Sequence, residues 1–217
     1  MMSLHIRGGM SEVITLQMDQ LSRKEAYKVL SGSVVPRPIA FITSLSKEEV
    51  VNAAPFSFFN VISGHPPLIA VSIGRRQGEM KDTAKNIIDR EEFVVHVSDE
   101  AMIEDINETA ATLPEEESEL TRTGLHQVKS SVVSVPGIKE ARIRFECQLE
   151  RHLTFQNDEG EVTVDHIIGR VVCAHLDESV YDAEKGYIFT DELKPVARLA
   201  GNDYAHLGTP FVLKRPE

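Results

Sequence analysis

The run "ARIRFECQLERHLTF", residues 141–155, constrains the fold more than any other part of the chain. Its odd positions Ile143, Phe145, Cys147, Leu149, Leu153 and Phe155 are apolar, and its even positions Arg142, Arg144, Glu146, Gln148, Glu150, His152 and Thr154 are polar. Successive side chains on a strand point to opposite faces, so this alternation gives one buried and one solvated face, whereas a helix would scatter both sets. "QNDEGE" then turns the chain. "VTVDHIIGRVVCAHL" (162–176) returns as the partner strand, with Ile167 to Cys173 expected to be covered on both sides. A hairpin this long, joined to shorter strands upstream, argues for a mainly antiparallel barrel of Greek-key type. Helical stretches lie between strands without regular βαβ alternation, which argues against a doubly wound parallel sheet.

Upstream, "LSRKEAYKVL" reads as a short helix ended by "SGSV", with Ser22 and Glu25 at capping-box spacing. "VVPRPIAFITSLS" reads as a strand whose prolines favour an edge or a strand start. "VNAAPFSFFN" returns from a polar turn, and "LIAVSIG" is an apolar strand buried on both faces. "KDTAKNIIDREE" shifts to helical spacing and "FVVHVS" back to a strand. Met102, Ile103, Ile106, Ala110 and Leu113 continue at helical spacing. "PEEESELTRTG" is expected to be a second helix, with Pro114 in its first turn and its glutamates on a solvated face. We therefore expect residues 1–20 to be a loose leader, with Met10 a second possible start. Residues 21–217 are expected to form one domain with a helical insert at about 99–124.

Several function classes are disfavoured by what the sequence carries. The formal net charge of −11 offers no basic field for nucleic acid or anionic lipid. No apolar run approaches membrane-spanning length, and "MMSLHIRGGM" lacks a signal-peptide core. Cys147 and Cys173 have no CxxC spacing and are expected as two buried free thiols in a reducing cytoplasm. The eight histidines are scattered without metal-ligand spacing, so no metal site is expected. No G-x-G-x-x-G, P-loop, H-E-x-x-H or G-x-S-x-G stretch occurs.

What the chain does carry is a cluster suited to a phosphate. Ser72, Arg75, Arg76, Lys81 and Thr83 fall where a buried strand gives way to a turn and a helix start. Cations, hydroxyls and helix N–H groups together match the charge and hydrogen-bond demand of a phosphomonoester. The aromatic and amide-rich "NAAPFSFFN" could wall a flat, polar-edged ligand, or could be a strand bending over the core.

The pieces "PRPIAFITS", "NAAPFSFFN", "PPLIAVSI" with "KDTAKNI", and "VDHIIGRVV", in this order, resemble the flavin reductase-like family of FMN-binding split-barrel proteins, especially its flavoredoxin-type branch. The likeness runs from about Tyr27 to Tyr204 and includes the closing motif "RLAGNDY", where Ala200 stands in a position that is more often glycine. The resemblance implies FMN bound at a homodimer interface. By matching position, Thr43, Ser44, Asn52, Ala53, Ala54 and Ser57 hold the ring edge, with Arg37 and Phe58 completing the flavin-contact set. Ser72, Arg75, Arg76, Lys81, Asp82 and Thr83 match the phosphate segment. Arg76, Lys81 and Thr83 are expected to touch the phosphate, and Asp82 to cap the following helix. Of Phe56, Phe58 and Phe59, at least two are expected to be plain packing. Some relatives carry an Asp-His pair near the nicotinamide. Asp165 and His166 lie two residues closer to Gly169 than that pattern has, which moves His166 one pleat along as a possible nicotinamide contact.

The activity so implied is hydride transfer from NADH or NADPH to the flavin N5, for which no protein acid or base is required. Reduced flavin would then pass to a separate monooxygenase or another electron acceptor. Two other readings stay open: an electron carrier that holds FMN tightly without NAD(P)H turnover, and a pyridoxamine-phosphate-oxidase-like enzyme, which the quoted motifs fit less well. A homodimer is also expected because "LIAVSIG" and "IIGRVV" need more apolar cover than one barrel supplies.

Overall fold

The computed structural model describes residues 13–216 apart from 112 and 115. The expected leader therefore falls mostly outside the described residues. Its described part is exposed and holds one 3₁₀ turn, Met18–Gln20.

Helix α1 (Arg23–Ser33) opens with the capping box read from the sequence: Ser22 Oγ accepts from the Glu25 N–H, and Glu25 accepts from the Ser22 N–H at 2.9 Å. The helix runs through the "SGS" expected to end it. Strands β1 (Arg37–Pro38), β2 (Ala40–Leu45), β3 (Val51–Phe56), β4 (Phe59–Gly64) and β5 (Pro67–Gly74) follow, then α2 (Asp82–Arg90), β6 (Glu92–Val97) and α3 (Ile103–Glu108). After two short strands, β7 (Gln127–Val128) and β8 (Gly137–Ile138), come the long β9 (Ile143–Gln156) and β10 (Val162–Leu176). The chain closes with β11 (Tyr181–Asp182), β12 (Tyr187–Ile188), α4 (Thr190–Leu193), β13 (Val196–Arg198) and β14 (Tyr204–His206).

Seven strands form one antiparallel sheet in the order β3-β2-β6-β9-β10-β5-β4. Strand β2 is buried along its whole length, because apolar groups cover both its faces. Phe41 joins Val94, Met102, Ile106, Val135 and Ile138 on one side, and Ile42 joins Ile73, Ile87, Phe93, Val95 and Ile167 on the other. "NAAPFSFFN" resolves into the end of β3, a turn at Ser57–Phe58, and the start of β4. Phe56 and Phe59 pack into the core, while Phe58 is exposed beside Tyr27.

Further expectations are corrected by the structure. The alternation of β9 does not persist: Glu146 is buried, while Leu153 and Phe155 are about half exposed. Extra residues at Glu150 of β9 and Val172 of β10 shift the register near Gly169 and Cys173, which turns side chains onto the other face. Glu146 tolerates burial because the N–H groups of Ser131, Val132 and Val133 donate to it at 2.6, 2.7 and 3.0 Å. Burial alone would raise its pKa, but these bonds and one from His175 outweigh it and hold the carboxyl at about 2.

The insert is less helical than the spacing suggests. Helix α3 stops at Glu108, where the Thr109 hydroxyl donates to the Ile106 carbonyl at 2.8 Å. Among its described residues the glutamate-rich stretch forms only a 3₁₀ turn, Glu119–Arg122, started by Ser118 rather than Pro114. Along β10, Ile167 and Gly169 are buried, but Ile168 and Arg170 to Cys173 are half-buried. Of the two free thiols, only Cys147 is buried. Among the described residues no helix is long and apolar enough to cross a membrane.

Candidate functional site

The cleft that matters begins at the end of β5. Arg76, Gln77, Gly78 and Glu79 make a tight turn: Arg76 and Glu79 exchange backbone hydrogen bonds of 3.0 and 2.9 Å, and Gln77 and Gly78 both take positive φ. A two-residue hairpin loop of this twist requires that conformation, which glycine adopts without steric cost. The chain then enters α2. The structure makes Lys81, not Asp82, the N-cap; Asp82 is the first helical residue, and the cap position has no side-chain hydrogen bond. The first N–H groups of a helix lack intrahelical partners, and a helix start suits an anion.

A cavity of about 380 Å³ opens here, lined by Asn52, Ala54, Pro55, Phe56, Arg76, Gln77, Glu79, Met80, Lys81, Asp82 and Thr83, and by Thr109 to Ala111, Leu113 and Glu119 of the insert. Its size is in the range of small-molecule sites. The structure therefore brings six of the implied flavin contacts into one place: Asn52, Ala54, Arg76, Lys81, Asp82 and Thr83. Asn52 Nδ2 donates to Thr83 Oγ1 at 2.8 Å and to Ser44 Oγ at 3.3 Å, and Asn86 Nδ2 also reaches Ser44 at 3.3 Å. Ser44 is fully buried and orients Asn52 from behind. Lys81 Nζ stands 5.6 Å over the Phe56 ring. Partial desolvation of its ammonium, and after it the Arg76 charge, lower the Lys81 pKa.

The other implied contacts lie elsewhere. Thr43 is buried and donates to the Pro136 carbonyl at 2.7 Å. Ala53 is buried, and its N–H is taken by the Glu119 carboxylate at 2.9 Å. Arg37 ties α1 and the C-terminal region to β1 through the carbonyls of Ser31, Val34 and Leu199, with Ser57 Oγ at 3.4 Å and the Phe58 ring beside it. Arg75 makes a bidentate pair with buried Asp165 at 2.8 and 2.9 Å, and His152 reaches the same carboxylate at 3.0 Å. Ser72 Oγ is 2.8 Å from His166 Nδ1, and the His166 ring stands edge-on to Phe155. Of these residues only Glu119, which was not among the implied contacts, lines the cleft.

Glu119 is the residue that sequence reading missed. Set in a glutamate run, it carries no mark apart from the apolar Leu120 beside it. Burial raises its pKa, opposed by the Ala53 N–H and reinforced by the Asp82 charge. Two cations, a hydroxyl and a helix start can together meet a phosphate ester, while Glu79, Asp82 and Glu119 set carboxylates in the same cleft, so the phosphate must sit on the Arg76, Lys81 and Thr83 side. Arg76, Lys81, Thr83 and the first turn of α2 would hold such a phosphate, with Asn52 and Ala54 lining the same cleft.

Residues 31–195 match the family model described as flavin reductase like domain. The chain belongs to this family. Its fold is the split barrel that flavin reductases and flavoredoxins share with it at 20% identity or less. An uncharacterized protein of Bacillus subtilis (strain 168), YwrF, is 68% identical over 200 residues, 92% of this chain and 98% of that one. Nitrilotriacetate monooxygenase component B from Bacillus cereus superposes with a TM-score of 0.90 at 48% identity, covering 94% and 100% of the two chains. Pseudomonas fluorescens 2-nitrobenzoate 2-nitroreductase superposes with a TM-score of 0.84 at 33% identity, covering 94% and 96%.

Proposed function

We propose that this protein is an FMN-binding flavin reductase that takes hydride from NADH or NADPH. The observation that carries the proposal is the cleft in which Arg76, Lys81 and Thr83 meet the first turn of α2 beside Asn52 and Ala54. Bound FMN supplies the hydride-accepting chemistry. The chain's own task is to fix it: Arg76 and Lys81 neutralise the phosphate, Thr83 adds a hydroxyl, and Asn52, braced by Ser44, sets the cleft wall. The insert, pinned to β3 by Glu119, covers one side and excludes water.

The likeness to a monooxygenase component B at 48% identity supports delivery of reducing equivalents to a separate monooxygenase. We further propose a cytoplasmic homodimer. Val61 and Ile62 of β4 and Leu153 and Phe155 of β9 are about half exposed or more, and a second copy would cover them.

The test is direct. Purified protein is mixed with NADH, then NADPH, with added FMN or FAD, and nicotinamide oxidation is followed alongside the flavin spectrum. Turnover with free or bound flavin is expected. A yellow protein that oxidises neither nucleotide would leave an electron carrier. Protein that stays colourless and gives no heat on titration with FMN would overturn the flavin site itself.

A further inference from the structure

Antiparallel pairing of β9 and β10 sets Cys173 opposite Glu146, and His175, two residues further along β10, returns to the same face. His175 Nε2 lies 2.6 Å from Glu146 Oε1, and Cys173 Sγ lies 3.8 Å from that nitrogen. The three ligand-type atoms all fall within 4.8 Å of one another. We propose that Glu146, Cys173 and His175 form a Zn²⁺ site on the β9–β10 pair, separate from the flavin cleft, with which they share no residue.

The donor set is one that zinc accepts: a thiolate, an imidazole and a carboxylate. Zn–S and Zn–N or Zn–O bonds at tetrahedral angles place ligand atoms roughly 3.3–3.6 Å apart. The sulfur–nitrogen separation is already close to this. The shorter nitrogen–oxygen contact is the length of a shared proton, and it opens when a metal ion takes that proton's place on the imidazole. Glu146 is fully buried, and three backbone N–H groups fix its orientation, as the supporting shell of a metal carboxylate does. Cys173 and His175 are half-buried, which leaves a fourth position to water. Arg144 stands across from His175, but it directs its guanidinium to the Ile138 carbonyl at 3.2 Å. Thiolate and carboxylate together balance the charge of the ion; the thiol proton goes to solvent, and the proton displaced from His175 Nε2 is exchanged through solvent so that the metal-bound neutral ring carries its proton on Nδ1.

The full-length protein, stripped with EDTA, is titrated with zinc chloride by calorimetry and against a zinc-binding dye. About one equivalent bound per chain is expected, with a higher melting temperature. Cys173→Ser and His175→Gln should each weaken binding by roughly tenfold or more. His175→Gln keeps a donor toward Glu146, so the anchor of residues 131–133 survives, and circular dichroism checks that both variants fold. Zinc uptake by the wild type no greater than by the double variant C173S/H175Q overturns the proposal. So does uptake without any rise in melting temperature.

Discussion

Lys81 and Arg75 differ in what their charges face, though both belong to the segment that the sequence marks as phosphate-binding. Lys81 stands at the cleft with its ammonium partly desolvated and near Arg76, so an incoming dianion relieves an unfavourable setting. Lys81→Ala is expected to weaken FMN by about 1–3 kcal/mol, as for loss of a charge-assisted hydrogen bond, read by fluorescence titration. Arg75 is engaged by Asp165, and Arg75→Ala should leave FMN affinity within about twofold while lowering stability. Equal losses of affinity in the two variants would place the phosphate at Arg75 as well. The cleft was legible around Lys81 and Thr83 because a strand end, a turn and a helix start are local in the chain. It was not legible at Arg75, because neighbours in an extended chain point to opposite sides, and its partner Asp165 is brought in by strand pairing from 90 residues away. Glu119 was hidden for a related reason: what buries it is β3, distant in sequence.

At the scale of the element, the β9–β10 hairpin was plain from its pattern, and its irregularities were not. A period of two reports that a strand has two different faces. It does not report where an extra residue exchanges them. Gly169 sits beside one of these shifts: Ile168 pairs with Arg151 but Gly169 with Leu149, which leaves Glu150 without an opposite residue. A Cβ on Gly169 would lie 2.3 Å from Phe93 Cζ and 2.9 Å from Cε1. Phe93 is buried in β6, with no room to retreat. Gly169→Ala should therefore destabilise the fold by about 1–3 kcal/mol through overpacking, measured as a lower urea midpoint. Adding Phe93→Leu should recover part of the loss. A G169A protein as stable as wild type would show that the two strands separate at this point more easily than the packing implies.

For the molecule as a whole, hydrophobic pattern was enough to define a mainly antiparallel β protein, since apolar runs and alternation record burial directly. The polar links that join its layers left no such trace. His96, in "FVVHVS", is one of them. It is fully buried on β6, its Nδ1 is 2.9 Å from the Phe41 carbonyl of β2, and its Nε2 accepts the Ile138 N–H of β8 at 2.9 Å. That arrangement requires a neutral ring protonated at Nδ1. A second proton would turn Nε2 into a donor facing a donor. Burial, opposed by the Phe41 carbonyl and assisted by the Arg144 charge, pulls the imidazole from 6.5 to about 4. Between these values the unfolded chain binds a proton that the folded chain refuses, so stability falls as pH drops through this window and the His96 contribution levels off below it. The shift corresponds to a loss on the order of 3 kcal/mol. Urea unfolding at a series of pH values should show the wild-type midpoint falling from pH 7 to 4.5. His96→Gln should start lower, because the bridge is impaired, yet fall less steeply over the same range. Parallel curves for the two proteins would mean that His96 takes up its proton without disturbing the link between β2, β6 and β8.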